Sequence, residues 1–367
     1  MNNKQDKCEI LIIGAGIIGL SIGAELSRKG REVIVLESEN KTIQHASSHN
    51  SEVIHSGIYY KNDSLKAKFC VEGNALLYEY CTKHGIDYRR SGKFIVANND
   101  QELSAIEKLQ LNAKENEIED TRILSNKELL TLEPNLIAEY ALLIESTGII
   151  DSHSFALSLE AEIENNGNHI ITSSPVTSGR YNGNEWELTI HGDNSYIIHS
   201  DIVINASGFN SIDLAKKFGV ENLPQITYIK GHYYKYHGKN PFTRLIYPLP
   251  EEHGLGVHTS SDMENSLRFG PDAEVVSKID YRFDSSKERF SKFTDSIGKY
   301  FKGFDSNLLK EDFCGIRSRI GATHKSSDFS VLFQRDHGLE GFVNISGIES
   351  PGLTSSLSIA KYVAEDL

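Results

Sequence analysis

The chain has 367 residues, of which 39% are hydrophobic and 9% aromatic, and it carries a formal net charge of -13 at pH 7. This acidic balance argues against nucleic-acid binding and against a basic face that docks on membranes. No apolar stretch reaches the roughly 18 residues that a membrane-spanning helix needs, and the length predicts two domains rather than one.

The first forty residues show the pattern of a dinucleotide-binding unit. An apolar run over 10–13 leads into Gly14-Ala15-Gly16-Ile17-Ile18-Gly19, a helical stretch follows, and a second apolar run over 33–36 ends on Glu37. The first glycine permits a tight turn, the second lets the backbone approach a pyrophosphate, and the third lets the helix pack closely on the strand. Glu37 stands where a carboxylate accepts hydrogen bonds from ribose hydroxyls, and the helix N-terminus favours phosphate.

The N-terminal apolar run differs from a signal peptide, because glycines interrupt it and a mixed-charge segment precedes it. The cysteines have neither CxxC spacing nor a disulfide pattern, which predicts reduced thiols packed inside a cytoplasmic protein. A position at the surface of the inner membrane is the alternative location. No group of His, Cys and Asp residues has metal-ligand spacing, so we expect no metal site.

Helices and strands then alternate along the chain, as in a nucleotide-binding fold. After a polar loop over 38–51, apolar spacing and turn residues predict the following elements. They are a helix over 64–84, a strand over 92–97, a helix over 101–117, a helix from Asp151 as N-cap to about Asn165, a strand over 169–172, a hairpin over 176–198 with Asn182-Gly183 at its turn, and a strand over 201–205. The small residues at 205–208 suit the close passage of a cofactor.

Between about Gly219 and Ile320 the pattern changes, and strand-like runs dominate. The predicted strands cover 226–236, 245–248, 255–259 and 267–270, with one helix over 286–300. A strand over 342–345 and a helix over 353–366 then return to the first pattern, and a nucleotide-binding domain built from both ends of a chain is typical of flavoproteins. We therefore predict a mixed α/β fold in which a Rossmann-like FAD-binding domain (1–90, 148–215 and 328–367) carries an inserted antiparallel β-sheet substrate domain (91–147 and 216–327).

Several segments together resemble one known family. They are 48–60 (SHNSEVIHSGIYY), 65–68 (LKAK), 148–153 (GIIDSH), 247–248, 256–258, 269–271 and 347–354 (GIESPGLT). On these segments the chain resembles the L-2-hydroxyglutarate oxidase/dehydrogenase family of the D-amino-acid-oxidase-like FAD superfamily, over essentially its whole length. One departure is Gly315-Ile316-Arg317-Ser318-Arg319, where the family usually shows Gly-[Val/Ile]-Arg-Pro-Lys.

The resemblance implies a flavoenzyme that oxidises a small 2-hydroxy dicarboxylate. The substrate would be L-2-hydroxyglutarate, oxidised to 2-oxoglutarate by hydride transfer to flavin N5, and the electrons would then pass to oxygen or to a membrane quinone. We expect FAD to be held non-covalently, because no sequence feature demands a covalent link through His49.

Three residues are candidates for the chemistry. His258 is the first choice for the base that takes the hydroxyl proton, and its usual pKa of about 6.5 predicts a rate that rises through neutral pH. His55 is the rival, either as the base or as a residue that orients the flavin. Arg317 is the candidate clamp for the substrate carboxylate, because its planar fork matches two oxygens. The residues expected to complete the pocket are Lys230, Tyr233 and Tyr247.

The residues expected to contact FAD are small, or lie in loops and at helix N-termini that present backbone N–H groups. They are Gly14, Gly16, Gly19, Glu37, Ser48, Asn50, Ser51, His55, Val176, Ser207, Gly208, Gly347, Gly352, Leu353 and Thr354. The last four would stabilise negative charge on the reduced flavin ring.

Two other classes of function remain open. An amine oxidase of the sarcosine or D-amino-acid type, or a glycerol-phosphate dehydrogenase, would keep the fold and FAD but take another substrate. An amine reacts in its neutral form and needs a base less, so His258 favours an alcohol. A non-catalytic FAD-binding module would have no use for His258, His55 and Arg317 together.

Overall fold

The computed structural model describes residues 7–192, 195–249, 256–321 and 327–367. The chain divides into two compact units. The first unit takes Met1–Ser48, His153–Thr227 and Ser318–Leu367, and the second unit takes His49–Ser152 and Tyr228–Arg317. The predicted boundaries assign residues 49–90 to the nucleotide-binding domain, whereas the contacts assign them to the second unit. The contacts also assign residues 148–152 to the second unit, and residues 216–227 and 318–321 to the first. The physical reason for 49–90 and 148–152 is that Val53, Ile58 and Ile149 belong to one apolar cluster with Ile95 and Leu142.

The elements are numbered in chain order. The helices are α1 (Ile17–Arg28), α2 (Leu65–His84), α3 (Asp100–Glu115), α4 (Asn126–Leu132), α5 (Ser152–Asn165), α6 (Ser211–Lys217), α7 (Lys287–Gly298), α8 (Gln334–His337) and α9 (Gly352–Asp366). The strands are β1 (Lys7–Ile13), β2 (Val33–Leu36), β3 (Val53–Ile54), β4 (Tyr88–Arg89), β5 (Lys93–Ala97), β6 (Thr121–Ser125), β7 (Tyr140–Ile144), β8 (Gly148–Ile150), β9 (His169–Ile171), β10 (Val176–Tyr181), β11 (Trp186–His191), β12 (Ser195–Asn205), β13 (Ile226–Tyr236), β14 (Leu245–Tyr247), β15 (Thr259–Ser261), β16 (Leu267–Phe269), β17 (Glu274–Val276), β18 (Leu309–Ile320), β19 (Ser330–Leu332) and β20 (Phe342–Ser346).

The first unit contains an eight-stranded sheet. In it β9, β2, β1 and β12 lie side by side and run parallel, and β20 runs parallel beside the second half of β12. β10 and β11 form the predicted hairpin, and β11 pairs with the first half of β12. Because β1, β2 and β12 end level with one another, the residues that follow them, Gly14, Glu37 and Ala206, leave the sheet at the same edge. Ligands of open parallel sheets bind at this edge.

Apolar residues on both faces of this sheet explain why its central strands are continuous hydrophobic runs. An aromatic cluster covers one face and includes Trp186, Phe218 and Phe342, whose rings lie 5.2–5.5 Å apart. α1 packs on α9, so the first helix and the last helix of the unit are neighbours. These features confirm the predicted mixed α/β fold with a Rossmann-like unit.

The second unit contains three smaller sheets. One has the order β14-β5-β7-β6, one has β3-β8-β4, and the third has β15-β16-β13-β17 with β18 also on β13. β13 pairs antiparallel with β16 and β17, as predicted for the inserted sheet. β14, by contrast, runs parallel to β5, which brings residues 245–247 beside residues 93–95.

Local sequence signals set most element ends correctly. α2 begins after Ser64, whose hydroxyl accepts a hydrogen bond from the N–H of Ala67, as expected of an N-cap. The predicted strand over 255–259 is an exception: residue 255 lies outside the described residues, and β15 begins only at Thr259. No helix among the described residues is both long and apolar enough to cross a membrane.

Candidate functional site

The glycine loop of the first unit is built so that side chains are excluded from it. Gly14 has φ +105°, and a Cβ atom there would lie 2.7 Å from the carbonyl oxygen of Ala206. A Cβ atom at Gly19 would lie 1.9 Å from the carbonyl oxygen of Gly14, and one at Gly16 would lie 2.9 Å from Ser47 Oγ. The loop therefore presents bare backbone at the sheet edge, as close contact with a pyrophosphate requires.

Glu37 holds this loop in place. Its Oε2 accepts a hydrogen bond from the N–H of Ala15 at 2.8 Å. Its Oε1 accepts from the N–H of Glu39 at 2.9 Å and from the hydroxyl of Ser38 at 3.1 Å. A carboxylate has about four lone-pair positions, so one remains for a ribose hydroxyl. The predicted ribose contact thus sits on a residue that also fixes the glycine loop.

Two neighbouring serines have different roles. Ser47 Oγ accepts a hydrogen bond from the N–H of Ile17 at 3.0 Å and so caps the first turn of α1. Ser48, the residue that the sequence singles out, donates to the carbonyl oxygen of His45 at 3.2 Å. The cap at Ser47 was missed because it lies 30 residues from its partner in the chain, beyond the reach of local helix signals.

Buried amides stabilise the loop over 205–208. Asn205 and Asn344 are fully buried, and the Nδ2 group of Asn205 donates to Asn344 Oδ1 at 2.7 Å. Ser207 Oγ donates to Asn205 Oδ1 at 2.6 Å, and Gly208 has φ +58°. The sequence analysis predicted Ser207 and Gly208 as FAD contacts and named neither asparagine as a site residue. Val176, also predicted to contact FAD, is half-buried against the aromatic cluster around Trp186.

The segment before α9 is likewise compact. Gly347 has φ +68°, and a Cβ atom there would meet the side chain of Ile320 at 2.4 Å. Beside it, Arg319 and Glu349 form a buried ion pair with Nε and Oε1 3.1 Å apart. Gly352 and Leu353 begin α9, and Thr354 is fully buried in its first turn. Together with the glycine loop, this N-terminus offers the backbone donors that fit a dinucleotide.

In the second unit, His258 has the tautomer of a base. Its Nδ1 lies 3.1 Å from the carbonyl oxygen of Gly256, which can only accept, so Nδ1 carries the proton and Nε2 keeps its lone pair. The ring stacks on Tyr247 with centroids 3.9 Å apart, and only 3% of the residue is exposed. Burial, followed by the charges of Lys93 and Arg317, lowers the pKa of His258 to about 3.

His55 shares this environment. Burial, followed by the charges of Lys93 and His258, lowers its pKa to about 3. Since His258 acts on His55, the two predicted histidines lie within electrostatic reach of each other. The backbone carbonyl oxygen of His55 accepts a hydrogen bond from Asn74 Nδ2 at 2.9 Å, which attaches the segment around His55 to α2.

Lys93 is the residue that sequence reasoning missed. It begins β5 and is 1% exposed, and its ammonium lies 4.8 Å from the ring centroids of both Tyr59 and Tyr247. Burial lowers its pKa to about 8, so it is mainly protonated at neutral pH. A lysine inside the run Lys93-Phe94-Ile95-Val96-Ala97 gave no local signal, because such runs normally form core strands.

Arg317 is a second cation near His258. Its positive charge lowers the pKa of His258, and it opposes the rise that burial causes in the pKa of Tyr233. Tyr233 stacks on Phe313 with ring centroids 4.5 Å apart and is hydrogen-bonded to Ser51. Asn50, the other predicted contact here, accepts from the N–H of Glu52 at 2.8 Å.

Lys230 does not join this group, contrary to the sequence prediction. Residues 230 and 233 of β13 face opposite sides of the strand, because strand side chains alternate. The ammonium of Lys230 donates to the carbonyl oxygen of Arg282, away from Tyr233. Arg319 is likewise engaged with Glu349 and is therefore a poorer carboxylate clamp than Arg317.

Comparison with known proteins places the chain in a family. The model of the DAO family, described as FAD dependent oxidoreductase, matches residues 9–366. The chain is 35% identical to "L-2-hydroxyglutarate dehydrogenase, mitochondrial" of Arabidopsis thaliana, over 98% of this chain and 83% of that protein.

Solved structures agree with this assignment. L-alpha-glycerophosphate oxidase from Mycoplasma pneumoniae, solved with FAD bound, superposes with a TM-score of 0.88 at 26% identity and covers 98% of this chain and 94% of its own. Glycine oxidase from Geobacillus kaustophilus has a TM-score of 0.81 at 17% identity, with coverage of 98% and 94%, and shows the shared fold. The bare glycine loop, the fixed carboxylate and the matched family all fit FAD as the cofactor. The chain therefore belongs to the FAD dependent oxidoreductase family and, within it, to the L-2-hydroxyglutarate dehydrogenases.

Proposed function

We propose that this protein oxidises L-2-hydroxyglutarate to 2-oxoglutarate, with His258 as the base and Arg317 as the carboxylate clamp. The observation that carries the proposal is the hydrogen bond from His258 Nδ1 to the carbonyl oxygen of Gly256. It leaves Nε2 ready to accept a proton, as the oxidation of a hydroxyl group requires. The relatives named L-2-hydroxyglutarate dehydrogenase support the same substrate.

The residues of the chain supply binding and proton transfer. Arg317 forms two charge-assisted hydrogen bonds with the carboxylate next to the hydroxyl group. His258 Nε2 takes the hydroxyl proton as the carbonyl double bond forms. Bound FAD supplies the redox chemistry, since it accepts the hydrogen and the electron pair that leave the carbinol carbon. Tyr233, beside Arg317, provides a flat apolar wall with a phenol group.

Anaerobic mixing of the purified holoprotein with a substrate panel tests this function. The panel contains L-2-hydroxyglutarate, its D enantiomer, glycerol 3-phosphate, glycine and D-alanine, and flavin absorbance is followed in time. We expect rapid bleaching with L-2-hydroxyglutarate alone. Bleaching by glycerol 3-phosphate would favour the second candidate, which the 0.88 TM-score to L-alpha-glycerophosphate oxidase suggests. Bleaching only by the amines would replace the alcohol with an amine substrate.

We further propose that the protein works in the cytoplasm and that its electrons pass to oxygen or to a membrane quinone, with the protein at the surface of the inner membrane in the second case. Oxygen uptake during turnover, with and without a soluble quinone analogue, separates the two acceptors. Hydrogen peroxide that matches the oxidised substrate indicates an oxidase, and quinone-dependent turnover without peroxide indicates a dehydrogenase.

A further inference from the structure

Lys93 is a buried cation whose charge has no balancing anion nearby. It is 1% exposed, and no carboxylate of the described residues contributes to its pKa. Two aromatic rings, of Tyr59 and Tyr247, face the ammonium at 4.8 Å each. Such contacts attract a cation but offset only part of the free energy that is lost when water is removed from it.

The groups around Lys93 are all neutral at physiological pH. Burial lowers the pKa values of His55 and His258 to about 3, so both imidazoles are uncharged. Burial raises the pKa of Tyr59 and of Tyr247 far above neutrality, so both phenols keep their protons. Neither phenol oxygen has a hydrogen-bond partner among the described residues. The ammonium of Lys93 and the hydroxyl groups of Tyr59 and Tyr247 are thus buried hydrogen-bond donors that a ligand could use.

We propose that Lys93, with the hydroxyl groups of Tyr59 and Tyr247, binds the distal carboxylate of the substrate, while Arg317 binds the carboxylate next to the hydroxyl group. This inference rests on the proposed function and names the residues that select a dicarboxylate. It explains why donors without partners surround a buried cation, since a carboxylate accepts several hydrogen bonds and carries the opposite charge.

The position of His258 supports a substrate that spans the two cations. The charges of both Lys93 and Arg317 act on its imidazole, whereas only that of Arg317 acts on Tyr233 and only that of Lys93 acts on His55. His258 therefore lies within electrostatic reach of both cations, and its ring stacks on Tyr247, whose ring centroid is 4.8 Å from the ammonium of Lys93. If the carbinol carbon of the substrate lies beside His258, one carboxylate can reach Arg317 and the other can reach Lys93.

Binding of paired ligands to the holoprotein separates this role from others. Glutarate has two carboxylates and butyrate has one, and neither carries the hydroxyl group that is oxidised. We would titrate each into the parent protein and into Lys93→Met, and follow the perturbation of the flavin spectrum. Glutarate should bind about 10–150-fold more weakly to Lys93→Met, the effect of losing a charged hydrogen bond, while butyrate should bind as before.

Three further variants make the test decisive if Lys93→Met does not fold. Tyr59→Phe keeps the ring and removes one hydroxyl, so it should weaken glutarate by about 3–10-fold and leave butyrate unchanged. Tyr78→Phe is the matched control, because its buried hydroxyl donates to the carbonyl oxygen of Ser146 at 3.0 Å, and neither ligand should be affected. Arg317→Met should weaken both ligands, because both present a carboxylate to Arg317.

The outcomes distinguish this inference from the proposed function. Equal loss of glutarate and butyrate in Lys93→Met, or no loss of glutarate in Lys93→Met or in Tyr59→Phe, would overturn the distal carboxylate site. If the parent protein prefers glutarate through Lys93 but its flavin is not reduced by L-2-hydroxyglutarate, the site stands and the proposed substrate is wrong.

Discussion

The imidazole of His258 is uncharged over the whole physiological pH range. Burial, followed by the charges of Lys93 and Arg317, lowers its pKa to about 3. The rise in rate near pH 6.5 that the sequence predicts is therefore displaced to a lower pH. A bound dicarboxylate would offset both positive charges and so raise the pKa of His258 at the step in which it takes the proton.

His258→Ala should slow anaerobic flavin reduction by L-2-hydroxyglutarate by about 10²–10⁴-fold, the usual contribution of a general base. Substrate binding should change much less, because a base acts mainly in the transition state. Stopped-flow absorbance between pH 6 and 9 measures both quantities. Over this range the parent rate should show no ionisation of His258 in the free protein.

The matched control is His55→Ala, because the pKa of His55 is also lowered to about 3 and His55 lies near Lys93 and His258. A role in orienting the flavin predicts a shifted flavin spectrum and a modest loss of rate. If His55→Ala abolishes reduction while His258→Ala reacts at the parent rate, the base is His55. If neither variant slows reduction, the alcohol loses its proton acceptor and an amine becomes the better substrate.

The sequence predicted some of these residues and missed others for physical reasons. His258 lies in a segment that resembles the family and Arg317 in the segment that departs from it, and the structure brings the two within electrostatic reach of each other. Lys93 was missed because its strand has the composition of a core strand, and only the pairing of β5 with β14 places it near Tyr247. Lys230 and Tyr233 were predicted for one pocket although residues three apart on a strand face opposite sides, and the ammonium of Lys230 donates to Arg282 instead.

At the scale of single elements, the turn from β1 to α1 is fixed by backbone contacts. The N–H of Gly14 donates to the carbonyl oxygen of Leu36 at 2.7 Å, and the N–H of Ala206 donates to that of Ile13 at 2.9 Å. Three strand ends are thereby joined around the glycine loop. These hydrogen bonds keep the glycine loop from shifting to make room for an added side chain.

Gly19→Ala should therefore damage the cofactor site, because its Cβ would lie 1.9 Å from the carbonyl oxygen of Gly14. We expect a loss of about 1–3 kcal/mol in the free energy of unfolding, as for other overpacked sites, together with weaker FAD binding. Urea unfolding and flavin content after gel filtration measure the two effects.

Gly298→Ala provides the control for this substitution. No atom lies within 4 Å of the added Cβ, and the residue ends α7 in the second unit. It should retain full flavin content and parent stability within about 0.5 kcal/mol. Parent-like flavin binding in Gly19→Ala would mean that α1 can move away from β1.

Local signals predicted the elements better than their pairing. Helical spacing and local composition placed α2, α3 and α7 within a few residues, since these signals lie inside each helix. The assignment of residues 49–90 depended instead on the packing of Val53 and Ile58 against Ile95, Leu142 and Tyr247, which are distant in the chain. Contacts of this kind have no local signature in a single sequence.

At the scale of the whole molecule, buried neutral histidines make stability depend on pH. His55 and His258 have pKa values of about 3 in the folded protein, below the value of about 6.5 in an unfolded chain. Below pH 6.5 the unfolded chain binds more protons, so the free energy of unfolding falls as the pH falls towards 3. We expect the pair to remove about 3 kcal/mol between pH 6.5 and 5, which urea unfolding of the holoprotein at several pH values measures.

The double variant His55→Gln/His258→Gln isolates this effect from other ionisable groups. It should lose less stability than the parent protein over the same pH interval, because glutamine takes up no proton. Identical pH slopes for the two proteins would show that the imidazoles are protonated without unfolding.

The buried amide pair of Asn205 and Asn344 has a consequence for biosynthesis. A ribosome makes β1, β2 and β12 long before it makes β20, so the emerging chain holds Asn205 without its partner and α1 without α9. Domains generally fold as units during synthesis. The sheet edge of the coenzyme site therefore stays unfinished in the nascent polypeptide until β20 and α9 have left the exit tunnel. Flavin capture then follows the synthesis of these two elements, and a message truncated before codon 342 would yield a colourless product.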